Sequence, residues 1–335
     1  GVRGVGYFGM VYELFTVLTL FFSYGLSESV ATMIRYRVKR EQYKNADKVL
    51  KNAIVLSCVV GGGLCIILWL GGHMIAEKIM KMPVCKIIIW MISPAVFLHI
   101  IIGVFRGYFQ GNGSRVPAVH SKILETVTMF ISGIIGAVLL YRYGLKVSEL
   151  LMNESFAAAY GALGAAIGVL VATVFCLLHI LVLFFIYKRG SKRNDFRDSQ
   201  KYMERQSHIM HTIAVTTLPY AVSGCLFHCI SFIDGVLFVN FSRGTGDAVL
   251  SWGNYYGKCM PVVGIICAML SILSMEPVKR FVLLAEREEF RILKDKMKTF
   301  IHQTTIWAVP STIFTAVLSS NILSLFFEGS NTETA

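Results

Sequence analysis

The chain has 335 residues, of which 55% are hydrophobic and 16% charged, and its mean hydropathy is +0.62. A water-soluble domain of that balance would aggregate, so soluble enzymes and soluble regulatory modules are excluded. The net charge of +12 invites a nucleic-acid reading, but the lysines and arginines are spaced between apolar stretches and do not gather in one patch.

Eight stretches are long and apolar enough to cross about 30 Å of hydrocarbon at about 1.5 Å per residue. In chain order they are 7–33, 52–77, 84–105, 117–141, 154–187, 209–241, 254–275 and 299–327. The expected fold class is therefore all-α, a polytopic integral membrane protein. Pro94, Gly133, Gly136, Pro219, Pro261 and Pro310 inside these spans are tolerable where neighbouring helices satisfy the freed backbone groups. Gly61–Gly63 also fall inside a span and read as close helix packing, not as a phosphate-binding loop.

The basic residues cluster between alternate spans: seven in 35–51, three in 106–122, seven in 188–205 and seven in 279–298, against eight elsewhere. The positive-inside rule assigns the segments 35–51, 106–122, 188–208 and 279–298 to the cytoplasm and both chain ends to the outside. A multi-pass plasma-membrane protein is the expectation. Segments 35–51 and 279–298 also carry apolar residues at helical spacing (Tyr43, Ala46, Val49, Leu50; Phe290, Leu293, Met297) and read as short helices on the anionic inner leaflet or as plain topology anchors. Segment 188–208 has the composition of a cytoplasmic linker.

A shift of 247 residues superimposes 6–54 on 253–301, pairing Leu26 with Leu273, Ser27 with Ser274, Arg40-Glu41 with Arg287-Glu288, Tyr43 with Phe290 and Lys51 with Lys298. Both copies run in the same direction, as in two lobes related by an axis along the membrane normal. The division expected from this is a first lobe at 1–187 lacking its first helix, a linker at 188–208 and a partial second lobe at 209–335. By the same logic one span precedes residue 1, and partners of 84–187 follow residue 335, for at least twelve spans.

Charged and polar groups inside the spans are the functional candidates, because they are costly there. Glu13 lies near the outer part of the first span. Glu28 in GLSES and Glu276 in SMEP sit at equivalent helix ends, as inner-gate contacts or solvated ends. In 104–125, VFRGYFQGNGSRVPAVHSKILE, Arg106 and Glu125 flank a short turn. Ser121, Glu125, Thr128 and Ser132 recur on one helical face, which suits a hydrated cavity; an Arg106–Glu125 lock across the turn is the alternative, compatible if it opens during transport. Asp234 is an isolated acid followed by Asn240 and Arg243, either a proton- or sodium-sensitive switch or half of a structural pair. His99, His179 and His228 read as packing histidines. Tyr7, Phe8, Tyr12, Tyr255 and Tyr256 suit an interfacial belt.

The eight cysteines read as apolar packing residues without a disulfide framework. Cys225, His228 and Cys229 lack a second ligand pair, so no metal is expected. No catalytic constellation and no nucleotide-binding loop is visible. The expectation is a non-enzyme without a cofactor, driven by an H⁺ or Na⁺ gradient, the membrane potential or a downstream reaction.

FRGYFQG (105–111), Pro117 and SKILETV (121–127) resemble the stage V sporulation protein B-like and polysaccharide-exporter families of the multidrug/oligosaccharidyl-lipid/polysaccharide (MOP) flippase superfamily. GVGYFGMVYELFTVL (4–18), GLSESVATMIRYRVKREQYKNADKVLKNAI (25–54), GALGAAIGVLVATV (161–174) and SFIDGVLFVNFSRG (231–244) extend the resemblance over most of the chain. It implies two six-helix lobes around a lipid-open cavity, working as a monomer by alternating access. The implied substrate is a lipid-linked saccharide of polyprenyl-pyrophosphate type, moved from the inner to the outer leaflet for cell-envelope, peptidoglycan or spore-cortex synthesis. The alternative within the superfamily is an ion-coupled multidrug exporter with an acid-dominated cavity. Glu28 departs from the usual proline- or threonine-containing turn of the relatives. A membrane-bound glycan polymerase is a third reading, disfavoured by short outer loops.

Overall fold

The computed structural model describes residues 1–152, 155–191, 204–242 and 247–327. Those residues are helical throughout apart from short turns. They comprise α1 (Val2–Leu18), a π-helical turn (Thr19–Tyr24), α2 (Gly25–Val38), α3 (Tyr43–Met74) with a π-helical end (Ile75–Ile79), α4 (Cys85–Gly111), α5 (Val116–Leu151) and α6 (Ser155–Ser191). There follow α7 (Gln206–Phe241), α8 (Ala248–Asn254), a π-helical turn (Tyr255–Cys259), α9 (Met260–Glu286), α10 (Phe290–Val317) and α11 (Ser319–Phe326).

Among the described residues six helical segments have the length and composition to cross a membrane, Val2–Val38, Tyr43–Ile79, Cys85–Gly111, Val116–Leu151, Ser155–Arg189 and Gln206–Phe241. A seventh is broken: α10 and α11 meet at 70°, so the expected continuous span at 299–327 is bent at Leu318. The expected span at 254–275 lies in α8, the following π-helical turn and α9, several of whose side chains fall outside the described residues.

Packing divides the chain into two compact units, Gly1–Val249 and Leu250–Ala335. That boundary lies later than the one expected at 188–208. The reason is that α7 seats along α1 and α2: a Cβ on Gly25 would lie 2.8 Å from the Ala221 Cβ, and one on Gly224 would lie 2.6 Å from the Tyr24 ring. Ser29 bonds Thr216, and Asn240 donates to the Ile79 carbonyl at 3.1 Å. At its start, Glu204 accepts from Arg37, and the Glu204 carbonyl accepts from Lys48.

Within the first unit α4 is central. Its Ile88, Ile92, Val96, Ile100, Val104 and Phe109 are all buried. Lipid supplies little hydrophobic drive between helices, so close backbone approach and interhelical hydrogen bonds hold them. Gly103, Gly107 and Gly111, one turn apart, let α4 touch the first span, Val2–Val38. A Cβ there would lie 2.5 Å from the Ser23 carbonyl oxygen, 2.4 Å from that of Ser27 and 2.7 Å from the Ile34 Cβ. The α5–α6 hairpin uses the same device: a Cβ on Gly164 would stand 2.1 Å from the Gly136 carbonyl oxygen, and one on Gly168 2.4 Å from the Gly133 Cα. The other face of α5 exposes Ile123, Val127, Phe130, Ile131 and Ile134, as a lipid-facing surface should. Of Gly61–Gly63, only Gly61 packs closely, against Phe97; a Cβ on either of the others meets open space.

Segments 35–51 and 279–298 are not separate surface helices. In each, one long helix ends, turns and the next begins: Glu41 (φ 57°) and Glu288 (φ 59°) are left-handed. The Glu41 N–H donates to the Val38 carbonyl and the Gln42 N–H to the Arg37 carbonyl, both at 3.0 Å. Glu288 and Glu289 donate to Ala285 and Leu284 at 3.1 Å. This is the same Schellman closure, displaced by 247 residues, with glutamate where glycine is usual. The repeat is thus present in backbone geometry as well as in hydropathy. In the first unit the apolar face of that segment, Ala46, Val49 and Leu50, packs on protein instead of lipid.

Candidate functional site

The site grows from two charges that hydrocarbon would not tolerate alone. Arg106 lies in the last turns of α4 and Glu125 in the third turn of α5, and the short connection at 112–115 folds one helix back beside the other. Arg106 Nη2 donates to Glu125 Oε2 at 2.8 Å, and Arg106 Nε donates to Ser121 Oγ at 2.9 Å. The side chains are 11% and 8% exposed, so the pair is desolvated and depends on its bonds.

Two more basic groups converge on the same carboxylate. His99 Nε2 lies 3.0 Å from Glu125 Oε1, and Lys122 Nζ lies 3.5 Å from Oε2 with a side chain that is 61% exposed. The far side of His99 is held too: Nδ1 lies 3.1 Å from Ser23 Oγ, and that hydroxyl donates to the His99 carbonyl at 2.8 Å. From α6, Cys176 Sγ accepts from Arg106 at 3.4 Å and donates to the Ser121 carbonyl at 3.4 Å. Four elements therefore fix one charge cluster.

The cluster forms part of the wall of a cavity of about 510 Å³, lined by Tyr12, Phe15, Thr19, Tyr24 and Glu28 on one side and by His99, Arg106, Gln110, Lys122, Glu125 and Thr126 on the other. One wall is aromatic and hydroxylated, the other mostly polar and charged. Such a space can hold a hydrophilic group at membrane depth without stranding its hydrogen-bonding atoms in lipid.

The residues picked out from the sequence divide among several places. Arg106, Glu125 and Glu28 line the cavity. Ser121 is fully buried and bonds Arg106, behind the lining. Ser132 bonds the Gly168 carbonyl at 2.9 Å, in the seam between α5 and α6, and Thr128 is half-buried away from the lining. The face of α5 that meets the cavity is instead Ala118, Val119, Lys122, Glu125, Thr126 and Met129. Asp234 is exposed on α7, with no hydrogen-bond or ion-pair partner among the described residues, whereas Asn240 ties α7 to the end of the second span. Arg243 and the side chain of Glu276 lie outside the described residues.

The three histidines read as satisfied packing residues all have polar partners. His99 joins the cluster, His179 meets His120, and His228 Nδ1 lies 3.1 Å from Glu13 Oε2, which buries Glu13 between α1 and α7. A signal for His99 was available: it precedes Arg106 by seven residues, two helical turns on one face.

A bundle of long apolar helices around a cavity with a charge cluster in its wall is the architecture of a polytopic membrane protein. The structure resembles a solved inward-facing multidrug resistance MATE family transporter of the MOP superfamily, with a TM-score of 0.72 at 14% identity, over 100% of this chain and 70% of that one. The fold is the MOP fold. Residues 1–274 match the polysaccharide biosynthesis protein family, and the chain belongs to that family. It is 25% identical over 283 residues to stage V sporulation protein B of Bacillus subtilis (strain 168), an alignment covering 82% of this chain and 49% of that protein. The chain thus spans about half the length of that curated relative.

Proposed function

We propose that the protein is a membrane flippase that carries the anionic head group of a lipid-linked saccharide from the inner to the outer leaflet by alternating access. The observation that carries this reading is the convergence of Arg106, His99 and Lys122 on the single carboxylate of Glu125 at a cavity wall. Three donors around one carboxylate make a nest for an anion, and Glu125 holds that position when no phosphate is present. A pyrophosphate entering from the Lys122 side would take over part of the donor set. Tyr12, Phe15 and Tyr24 would face its saccharide, while the polyprenyl tail stays in lipid.

Membership of the polysaccharide biosynthesis family and the MOP fold support a transporter over a glycan polymerase or ligase. A multidrug exporter of cationic compounds calls for an acid-dominated cavity with Asp234 and Glu125 unpaired, and Asp234, which has no partner among the described residues, lies outside the cavity lining. Here Glu125 has three basic partners, which favours the anionic substrate. The basic segments are assigned to the cytoplasm, where they would gather anionic head groups, and the drive is assigned to an H⁺ or Na⁺ gradient, the membrane potential or consumption of the product outside. The test is movement of a fluorescent polyprenyl-pyrophosphate saccharide across proteoliposomes, beside efflux of a cationic dye. Dye efflux without lipid movement would refute the proposal.

A further inference from the structure

A second polar cluster lies on the exposed side of the α5–α6 hairpin. His120 is in the second turn of α5 and His179 in α6. Their Nδ1 and Nε2 atoms are 3.0 Å apart, and their rings are tilted by 42° with centroids at 5.0 Å. No carboxylate or cationic side chain is recorded against either ring among the described residues. The helices that carry them are locked together by the Gly136–Gly164 and Gly133–Gly168 contacts and by the Cys176–Ser121 hydrogen bond, so the spacing belongs to a rigid seam.

We propose that His120 and His179 form a two-histidine site for a divalent transition-metal ion with ligand positions at right angles, of the Cu²⁺ or Ni²⁺ kind. Two metal–nitrogen bonds of about 2.0–2.1 Å set at a right angle place their nitrogens about 2.8–3.0 Å apart. The two nitrogens are joined by a hydrogen bond, and an ion would replace the shared proton after a turn of the rings, with no movement of either helix. Tetrahedral coordination would ask for about 3.3–3.4 Å and is the poorer match. Binding places a neutral imidazole lone pair on the ion from each ring, with the ring protons on the far nitrogens. Among the described residues no third histidine, cysteine or carboxylate completes a protein ligand set, so water or lipid-phosphate oxygens fill the remaining positions.

The position suits such ligands. With 36 residues, α5 is longer than the hydrocarbon is thick, and His120 is only five residues from its start. His120 lies at the very start of the apolar span 117–141, at the edge of the hydrocarbon, where head-group oxygens come within reach.

His208 and His211, one turn apart at the exposed start of α7, are a competing chelate and are removed first by His208→Asn and His211→Asn. The protein, purified through a tag without histidine, is then titrated with Cu²⁺ and with Ni²⁺ in nanodiscs. The expected result is one Cu²⁺ with a paramagnetic resonance spectrum of two imidazole nitrogens. His120→Asn and His179→Asn should each weaken binding at least tenfold while leaving the metal-free melting temperature unchanged. Affinity and spectrum that are the same with and without either substitution, or the absence of binding, would overturn the proposal.

Discussion

Arg106 and Glu125 stand 19 positions apart in sequence yet meet at 2.8 Å, nearly out of contact with solvent, where α4 and α5 leave their common turn. Neither is a local neighbour of the other on a helix. Their meeting depends on the hairpin and on the Gly103 and Gly107 contacts that hold α4 against the first span. The pair is thereby both a clasp on the first unit and part of a cavity wall, and substitutions can separate the two roles.

Replacing Arg106 with glutamine leaves Glu125 buried without its strongest partner. Breaking a buried pair from one side costs about 3–5 kcal/mol, so the melting temperature in detergent should fall clearly. The double variant Arg106→Gln/Glu125→Gln should regain most of that stability and still fail to move substrate. A double variant that transports normally would reduce the pair to a clasp.

Lys122 separates the roles more cleanly because its side chain is 61% exposed. Lys122→Ala should stay within about 0.5 kcal/mol of the parent in stability. Transport of a lipid pyrophosphate should nevertheless drop several-fold, measured as initial rate in proteoliposomes at fixed protein density.

The α5–α6 seam predicts a sharp contrast between glycines. Gly164→Ala drives a methyl group to 2.1 Å from the Gly136 carbonyl oxygen, whereas a methyl group on Gly62 meets nothing within 4 Å. The first change should cost about 1–3 kcal/mol or more and loosen the Cys176 contact to Arg106, and the second should be neutral or slightly stabilising. Thermal melts of the two variants check this directly.

The repeated turn is testable in the same way. A left-handed non-glycine residue costs about 1–2 kcal/mol, partly regained against glycine's greater freedom in the unfolded chain. Glu41→Gly and Glu288→Gly should therefore each stabilise by up to about 1 kcal/mol. Glu41→Val and Glu288→Val should destabilise, since a β-branched side chain resists that backbone region.

Much of this architecture was legible from hydropathy because a span must be about 20 apolar residues long. Helix ends were less so. The backbone gains a hydrogen bond for each residue it continues, so α3 begins at Tyr43, within the segment expected to lie on the membrane surface. The Arg106–Glu125 clasp was visible as two charges in apolar surroundings. The direction of the α5 stripe was not: Ser121 and Ser132 share a face, but only packing reveals that this face meets α6 and that Lys122 and Thr126 meet the cavity. Ser23 and Cys176 join the site through contacts between elements far apart in sequence, for which hydropathy carries no signal.

The central claim is that the cavity carries an anionic lipid head group past the Arg106 cluster. The most direct measurement is inner-to-outer movement of a fluorescent polyprenyl-pyrophosphate saccharide in proteoliposomes, compared between the parent and Lys122→Ala, with an uncharged polyprenyl-alcohol analogue alongside. The account predicts rapid movement of the pyrophosphate by the parent, a several-fold loss in the variant and no facilitated movement of the uncharged lipid. Equal rates for charged and uncharged lipids, unaffected by Lys122→Ala, would contradict it.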